Sequence, residues 1–170
     1  KLATNKWSVK DWILTNFPEG YKDMTYIEPY GGSVDMMFVK ERSKFEIIND
    51  KNEDGYTPIL IASREGHLPI VDQLISRGAN IHDKNKDGNT PILLASSKGH
   101  LSIVELLLSK GANIHDRDND GNTPILLAAM EGQLSIVELL ISKGANIHHT
   151  DGEGNTPILL ASREGHLSVV

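Results

Sequence analysis

The sequence predicts a mainly α-helical solenoid of stacked helix-turn-helix pairs, preceded by a short α/β segment. From Asp54 onward the chain repeats itself every 33 residues, and a fixed period of this length marks a tandem array whose units bury their apolar faces against one another. Thr57-Pro58, Thr90-Pro91, Thr123-Pro124 and Thr156-Pro157 open the units, and Gly-Ala-Asn-Ile-His segments recur at residues 78–82, 111–115 and 144–148. Composition supplies the boundary, because eight of the nine aromatic residues lie in the first 50 positions and all seven histidines lie after residue 66. Residues 1–50 are therefore read as one segment and residues 51–170 as repeats, at 54–86, 87–119, 120–152 and a partial 153–170.

In the first segment the pattern predicts a helix from Ser8 to Asn16, ended by Phe17-Pro18, and a strand from Thr25 to Glu28. Gly31-Gly32 follow, then a helix from Ser33 to Val39 and a strand from Phe45 to Asn49. This is a βαβ outline with an acid, Asp50, 22 residues after Glu28. Glycines at such a turn let backbone approach a ligand at a helix N-terminus, and an acid about 20 residues on accepts hydrogen bonds from ribose hydroxyls.

Trp12-Ile13-Leu14, Phe17-Pro18, the run from Tyr26 to Ser33 and Glu46-Ile47-Ile48-Asn49-Asp50 resemble the opening of D12-class adenine-specific DNA methyltransferases. The resemblance implies that Glu28, Pro29, Tyr30, Gly31 and Gly32 match that family's S-adenosylmethionine-binding loop and Asp50 its ribose-binding acid. The family's catalytic D-P-P-Y motif is absent, no Pro-Pro pair occurs among the seven prolines, and its P-G-G-K segment is missing. A methyltransferase core needs a many-stranded sheet covered on both faces, and only two candidate strands precede the repeats. The segment therefore reads as a truncated remnant that does not transfer methyl groups. No cofactor is expected, and S-adenosylmethionine enters only if the remnant retains cofactor binding. Fifty residues are too few for a core of their own, so Trp7, Trp12 and Phe38 are expected to pack on the first repeat as an improvised cap. The joint lies in register, since Ile48 to Gly55 aligns with Ile81 to Gly88.

Each repeat reads as two helices and a hairpin-like turn. Thr90 is placed to cap with its side-chain oxygen, and Pro91 at the first helical position gives up an N–H that has no partner there. Gly99 ends this helix. In the second helix, Leu101 to Lys110, the polar residues Ser102, Glu105 and Ser109 form one stripe, repeated by Pro69, Asp72, Ser76 and by Ser135, Glu138, Ser142. A helix otherwise apolar around its circumference needs cover on more than one side, which neighbouring copies supply. Gly111 suits the left-handed position past the helix end, and Asp87-Gly88 suits a tight turn.

These residues resemble the ankyrin repeat over residues 54–170, in the pattern D-G-x-T-P-(apolar)-x-x-A through G-A-N. Where that family usually carries histidine in a T-P-L-H motif, Leu60, Leu93, Leu126 and Leu159 stand here, and each leucine, if fully buried, contributes about 1.5–3 kcal/mol. His67, His100 and His166 follow a glycine between the helices, where the resemblance implies hydrogen bonding within the repeat; Gln133 replaces them in the third. The resemblance also implies that partners are held by turn tips and by exposed positions of the first helices. These map to Lys84, Lys86, Asn89, Arg117, Asn119, Asn122, Thr150, Glu153 and Asn155 on the turns, and to Arg64, Glu65, Ser97, Lys98, Met130, Glu131, Arg163 and Glu164 on the helices. No aromatic stands among them, so the usual anchor of a tight interface is missing.

The formal net charge of −6 excludes a phosphate-neutralising protein by bulk charge. Zero cysteines exclude disulfides, thiol catalysis and thiolate zinc sites. No apolar run has the length of a membrane span. His82, His115, His148 and His149 invite a metal, but equivalent residues of stacked repeats lie about 8–10 Å apart, too far for one zinc with ligands near 2.1 Å; no metal is expected. The leading expectation is a noncatalytic protein-interaction scaffold with an unidentified protein partner, no nucleic-acid or membrane partner, a monomeric state and an intracellular setting. The chain begins at Lys1 and stops at Val170 without a polar cap, so the natural chain is expected to continue or that end to fray.

Overall fold

The computed structural model describes residues 51–170; the βαβ outline, Glu28 to Gly32, Asp50 and the proposed cap residues Trp7, Trp12 and Phe38 lie outside them. The described residues form seven helices and no strand: α1 (Pro58–Arg64), α2 (Leu68–Ser76), α3 (Pro91–Lys98), α4 (Leu101–Ser109), α5 (Pro124–Met130), α6 (Leu134–Ser142) and α7 (Pro157–Glu164). The inner helices pack directly on one another, α1 on α3, α3 on α5 and α5 on α7, and α1, α3 and α5 each pack on their own outer helix. Successive outer helices meet only lightly.

Proline at the first helical position starts each inner helix from an extended threonine, with φ near −92° and ψ near 166° at Thr90. The side-chain cap expected there does not form. The hydroxyls of Thr57, Thr90 and Thr123 have no hydrogen-bond partner among the described residues, and these threonines are 0–1% exposed. Leu93 and Leu126, at the family's histidine position in the same inner helices, are also fully buried, and the hydroxyls of Ser63 and Ser96 are likewise buried without a partner. What terminates the outer helices is as expected. Gly111 sits at φ +94°; its N–H donates to the Leu108 carbonyl, and Ala112 N–H donates to the Leu107 carbonyl at 2.9 Å. This double bond pattern satisfies carbonyls the helix leaves open, and the sets Gly78-Ala79 and Gly144-Ala145 repeat it.

One continuous core runs from Ile59 and Val71 through Ile92, Val104 and Leu107 to Ile125, Ile136, Leu140 and Ala161. The polar stripes Asp72-Ser76, Ser102-Glu105-Ser109 and Ser135-Glu138-Ser142 face solvent. The outer helices are less enclosed than their apolar circumference predicts. Leu68, Leu134 and Ile141 stay 36%, 37% and 49% exposed, because successive outer helices meet too lightly to cover one another. At α7 the positions matching Ile125 and Leu126 are Ile158 and Leu159, which are 53% and 54% exposed.

Candidate interaction surface

The turns that link one pair to the next project as fingers, each built around an acceptor side chain. Asn85 Oδ1 accepts the N–H groups of Asp87 and Asn89, at 3.1 and 2.8 Å. Asn52, Asp118 and Asp151 do the same for their own turns. Such closed local loops replace the ladder bonds that a strand would use. Fingers are then tied to each other across repeats: Lys86 N–H donates to the Asp54 carbonyl, Asn119 N–H to Asp87 and Gly152 N–H to Asp120, at 3.1, 2.9 and 2.8 Å.

Side chains add a second row of ties. Lys84 Nζ donates to the Arg117 carbonyl at 2.9 Å, and the Arg117 guanidinium donates to the Thr150 carbonyl at 3.2 Å. Asn119 Nδ2 donates to the Lys86 carbonyl at 2.8 Å. The carboxamides of Asn122 and Asn155 donate to Asp118 and Asp151 at 3.0 and 2.9 Å. Six of the nine finger residues named from sequence are thus committed to holding the fingers together through side-chain or turn-closing bonds: Lys84, Asn89, Arg117, Asn119, Asn122 and Asn155. Lys86 keeps its ammonium exposed while its backbone serves the array. Thr150 serves through its carbonyl, and Glu153 Oε2 accepts weakly from Asn155 Nδ2 at 3.3 Å.

The remaining named residues cluster at the C-terminal ends of the inner helices. Arg64 Nε pairs with Glu65 at 2.9 Å, and Arg163 Nε pairs with Glu164 at 3.1 Å. Arg64 Cζ also stands 4.8 Å from the centroid of the Tyr56 ring, within the range of a cation–π contact. Burial pulls the Arg64 guanidinium down, but hydrogen bonds to Glu65 and Tyr56 more than offset this and leave its pKa above the ordinary value. Tyr56, which is not among the positions named from sequence, adds an aromatic ring beside Arg64. It stands at the position held by Asn89, Asn122 and Asn155 in the other repeats, and only the fold brings it over the residue eight places on. Ser97 and Met130 are half-buried, and Lys98 and Glu131 are exposed.

Two of the histidines between the helices, His100 and His166, bond between repeats and not within them. His100 Nε2 bonds the Arg64 carbonyl and His166 Nε2 the Met130 carbonyl, both at 2.9 Å and both 36 residues away in sequence. Each ring occupies the space beside a glycine of the preceding repeat, where a Cβ on Gly66 would meet His100 at 2.5 Å and one on Gly132 would meet His166 at 2.6 Å. Gln133 fills the same space beside Gly99. His82, His115 and His148 present exposed rings, and their backbone N–H groups donate to Asn80, Asn113 and Asn146. His115 meets His149 edge-to-face with ring centroids 5.6 Å apart. Among the described residues no group of three or more histidine, aspartate or glutamate side chains stands close enough to hold a metal ion. Nor is any described helix long and apolar enough to cross a membrane.

Stacked helix pairs joined by projecting, cross-tied fingers define a helical repeat solenoid. A family model for ankyrin repeats (3 copies) matches residues 34–118 and another for ankyrin repeats (many copies) matches residues 126–170, and the chain belongs to the ankyrin repeat family. The match begins inside the segment whose residues 7–50 resemble the start of a methyltransferase, so residues 34–50 are shared with the ankyrin pattern. The comparisons give the methyltransferase resemblance no support. A search of curated proteins found no match to the chain.

Proposed function

We propose that this chain is a noncatalytic protein–protein interaction scaffold whose partner lies along the fingers and inner-helix ends. Ankyrin repeats are in general protein-interaction modules. The observation that carries the reading is where the repeats differ from one another. Their interior is nearly invariant, with Leu60, Leu93 and Leu126 in one buried column and Ala62, Ala95, Ala128 and Ala161 in another. At the inner-helix ends the matching residues are Arg64, Ser97, Met130 and Arg163, then Glu65, Lys98, Glu131 and Glu164. An array needs only the interior to stack. Side chains that change on the solvent side, from Arg64-Glu65 through Ser97-Lys98 to Met130-Glu131 before Arg163-Glu164 returns to the first pair, are what recognition of a non-repeating partner requires.

Selecting a random peptide display library on the full chain tests this. Enrichment of sequences whose binding is lost on substitution at Arg64, Lys98 or Glu131 is the expected result, and selection that enriches nothing overturns it. The alternative, residual S-adenosylmethionine binding through Glu28 to Gly32 and Asp50, is tested by calorimetric titration; absence of heat and of thermal stabilisation at millimolar ligand removes it.

A further inference from the structure

We propose that the junction of the first two repeats is the docking point for an acidic segment of the partner, with its carboxylates held by Arg64 and Lys98 beside the Tyr56 ring. The proposal rests on the interaction-scaffold reading and gives the partner a chemistry. The His100 ring bonds the Arg64 carbonyl at 2.9 Å, so the end of α3, two residues earlier at Lys98, lies against the end of α1. Two cations, Arg64 and Lys98, therefore stand at the ends of adjacent inner helices, Arg64 paired through Nε with Glu65. Lys98 is exposed and has no ion pair among the described residues. Arg64 is held in place by Glu65 and the Tyr56 ring, so a partner meets a guanidinium whose position is already fixed, which lowers the entropic cost of binding it. Tyrosine and arginine together are the side chains most often found at the energetic centre of interfaces.

The opposite end of the face carries the opposite charge. Arg163 pairs with Glu164 as Arg64 does with Glu65, but the position held by Lys98 is taken there by Glu131 and Glu164, and Asp120 and Glu153 stand exposed on the fingers. An acidic segment is repelled there, which fixes its place at the first two repeats. Basic residues in the last turn of a helix also complement the helix dipole, but that role changes stability and leaves peptide binding untouched.

The test uses peptides recovered from a random 12-residue display library on the full chain, measured by fluorescence anisotropy. Aspartate- and glutamate-rich peptides are expected, with affinity reduced about tenfold by Arg64→Gln and by Lys98→Glu and unchanged by Glu105→Lys on the solvent stripe of the outer helix α4. Lys98 is exposed, so Lys98→Glu keeps the test valid if Arg64→Gln disturbs folding, and unchanged helical circular dichroism verifies each variant. Peptides that lack acidic enrichment, or that bind all three variants as they bind the parent, overturn this proposal while leaving the scaffold reading intact. A library that yields no binder overturns both.

Discussion

Replacing Thr90 by valine distinguishes the cap that sequence expects from the packing residue that the structure contains. If the hydroxyl capped α3, Thr90→Val would cost about 1 kcal/mol, the usual loss for an N-cap. The structure gives the opposite sign. Oγ1 has no partner and the residue is 0% exposed, so the hydroxyl bears a desolvation cost of about 1–3 kcal/mol with nothing gained in return. Valine keeps the branched shape and the extended backbone at φ −92°, and it puts a methyl group in place of the unpartnered hydroxyl. Thr90→Val is therefore expected to be neutral or stabilising by up to about 1 kcal/mol, and Thr123→Val likewise. Thr90→Ser keeps the hydroxyl and removes a buried methyl, at a cost of about 1 kcal/mol. Urea unfolding followed by circular dichroism reads both, as a midpoint shift at constant slope. A valine variant destabilised by about 1 kcal/mol beside an unchanged serine variant would refute the reasoning, because only a working cap gives that pair of results.

Three further outcomes follow from contacts between repeats. Gly88→Ala places a Cβ 2.9 Å from the Asn119 backbone nitrogen at φ +81°, whereas Gly111→Ala at φ +94° meets nothing within 4 Å; the first is expected to cost about 2–4 kcal/mol and the second about 1 in denaturant unfolding, and equal losses would contradict the finger contact. Leu126→Ala, at 0% exposure, is expected to cost about 2–5 kcal/mol, while Leu159→Ala, at 54%, should stay within about 1; amide exchange faster in residues 156–170 than in α5 reports the same difference. Asp151 is drawn up by partial burial but drawn down further by hydrogen bonds from Asn155, Glu153 and Gly154, so its pKa falls below 3.8. A carboxylate with a depressed folded pKa gives stability that is complete above its unfolded value and is lost as pH falls through the folded one. Asp151→Asn retains an Oδ1 acceptor, as Asn52 and Asn85 show, and should lose less stability on acidification below 3.8 than the parent; parallel acid melts of the two proteins check this.

The helices were legible because their causes are local. Thr-Pro, the apolar quartet and the terminal glycine each specify a start, a face or a stop within a few residues, and the end of α4 differs from its predicted limit only by making Lys110 the cap residue. The turn residues were legible as turns for the same reason. Their allocation was not, because Lys84, Arg117 and Asn119 are occupied by carbonyls 33 residues away. Nothing within one repeat distinguishes a lysine that reaches its neighbour from one that reaches solvent.

The same limit applies to the interaction face and shows how such an array separates stability from recognition. Reading repeats as equal units treats Tyr56 as a departure from Asn89, Asn122 and Asn155 at a turn, whereas in space it is a partner of Arg64 on the adjacent helix. His100 likewise reads as an internal linker and is instead a strut onto the end of α1. Of the residues that repeat, Leu93 is buried in the stack, Gly88 lies against Asn119 of the next finger and the Asn85 acceptor closes its own finger, so together they keep the stack uniform whatever lies outside. The residues that break the repeat, Tyr56, Arg64, Lys98 and Met130, stand at least partly in solvent, where a change costs little stability. In a tandem array the exposed departures from the period are therefore the first place to look for function, and here they converge on the ends of the inner helices.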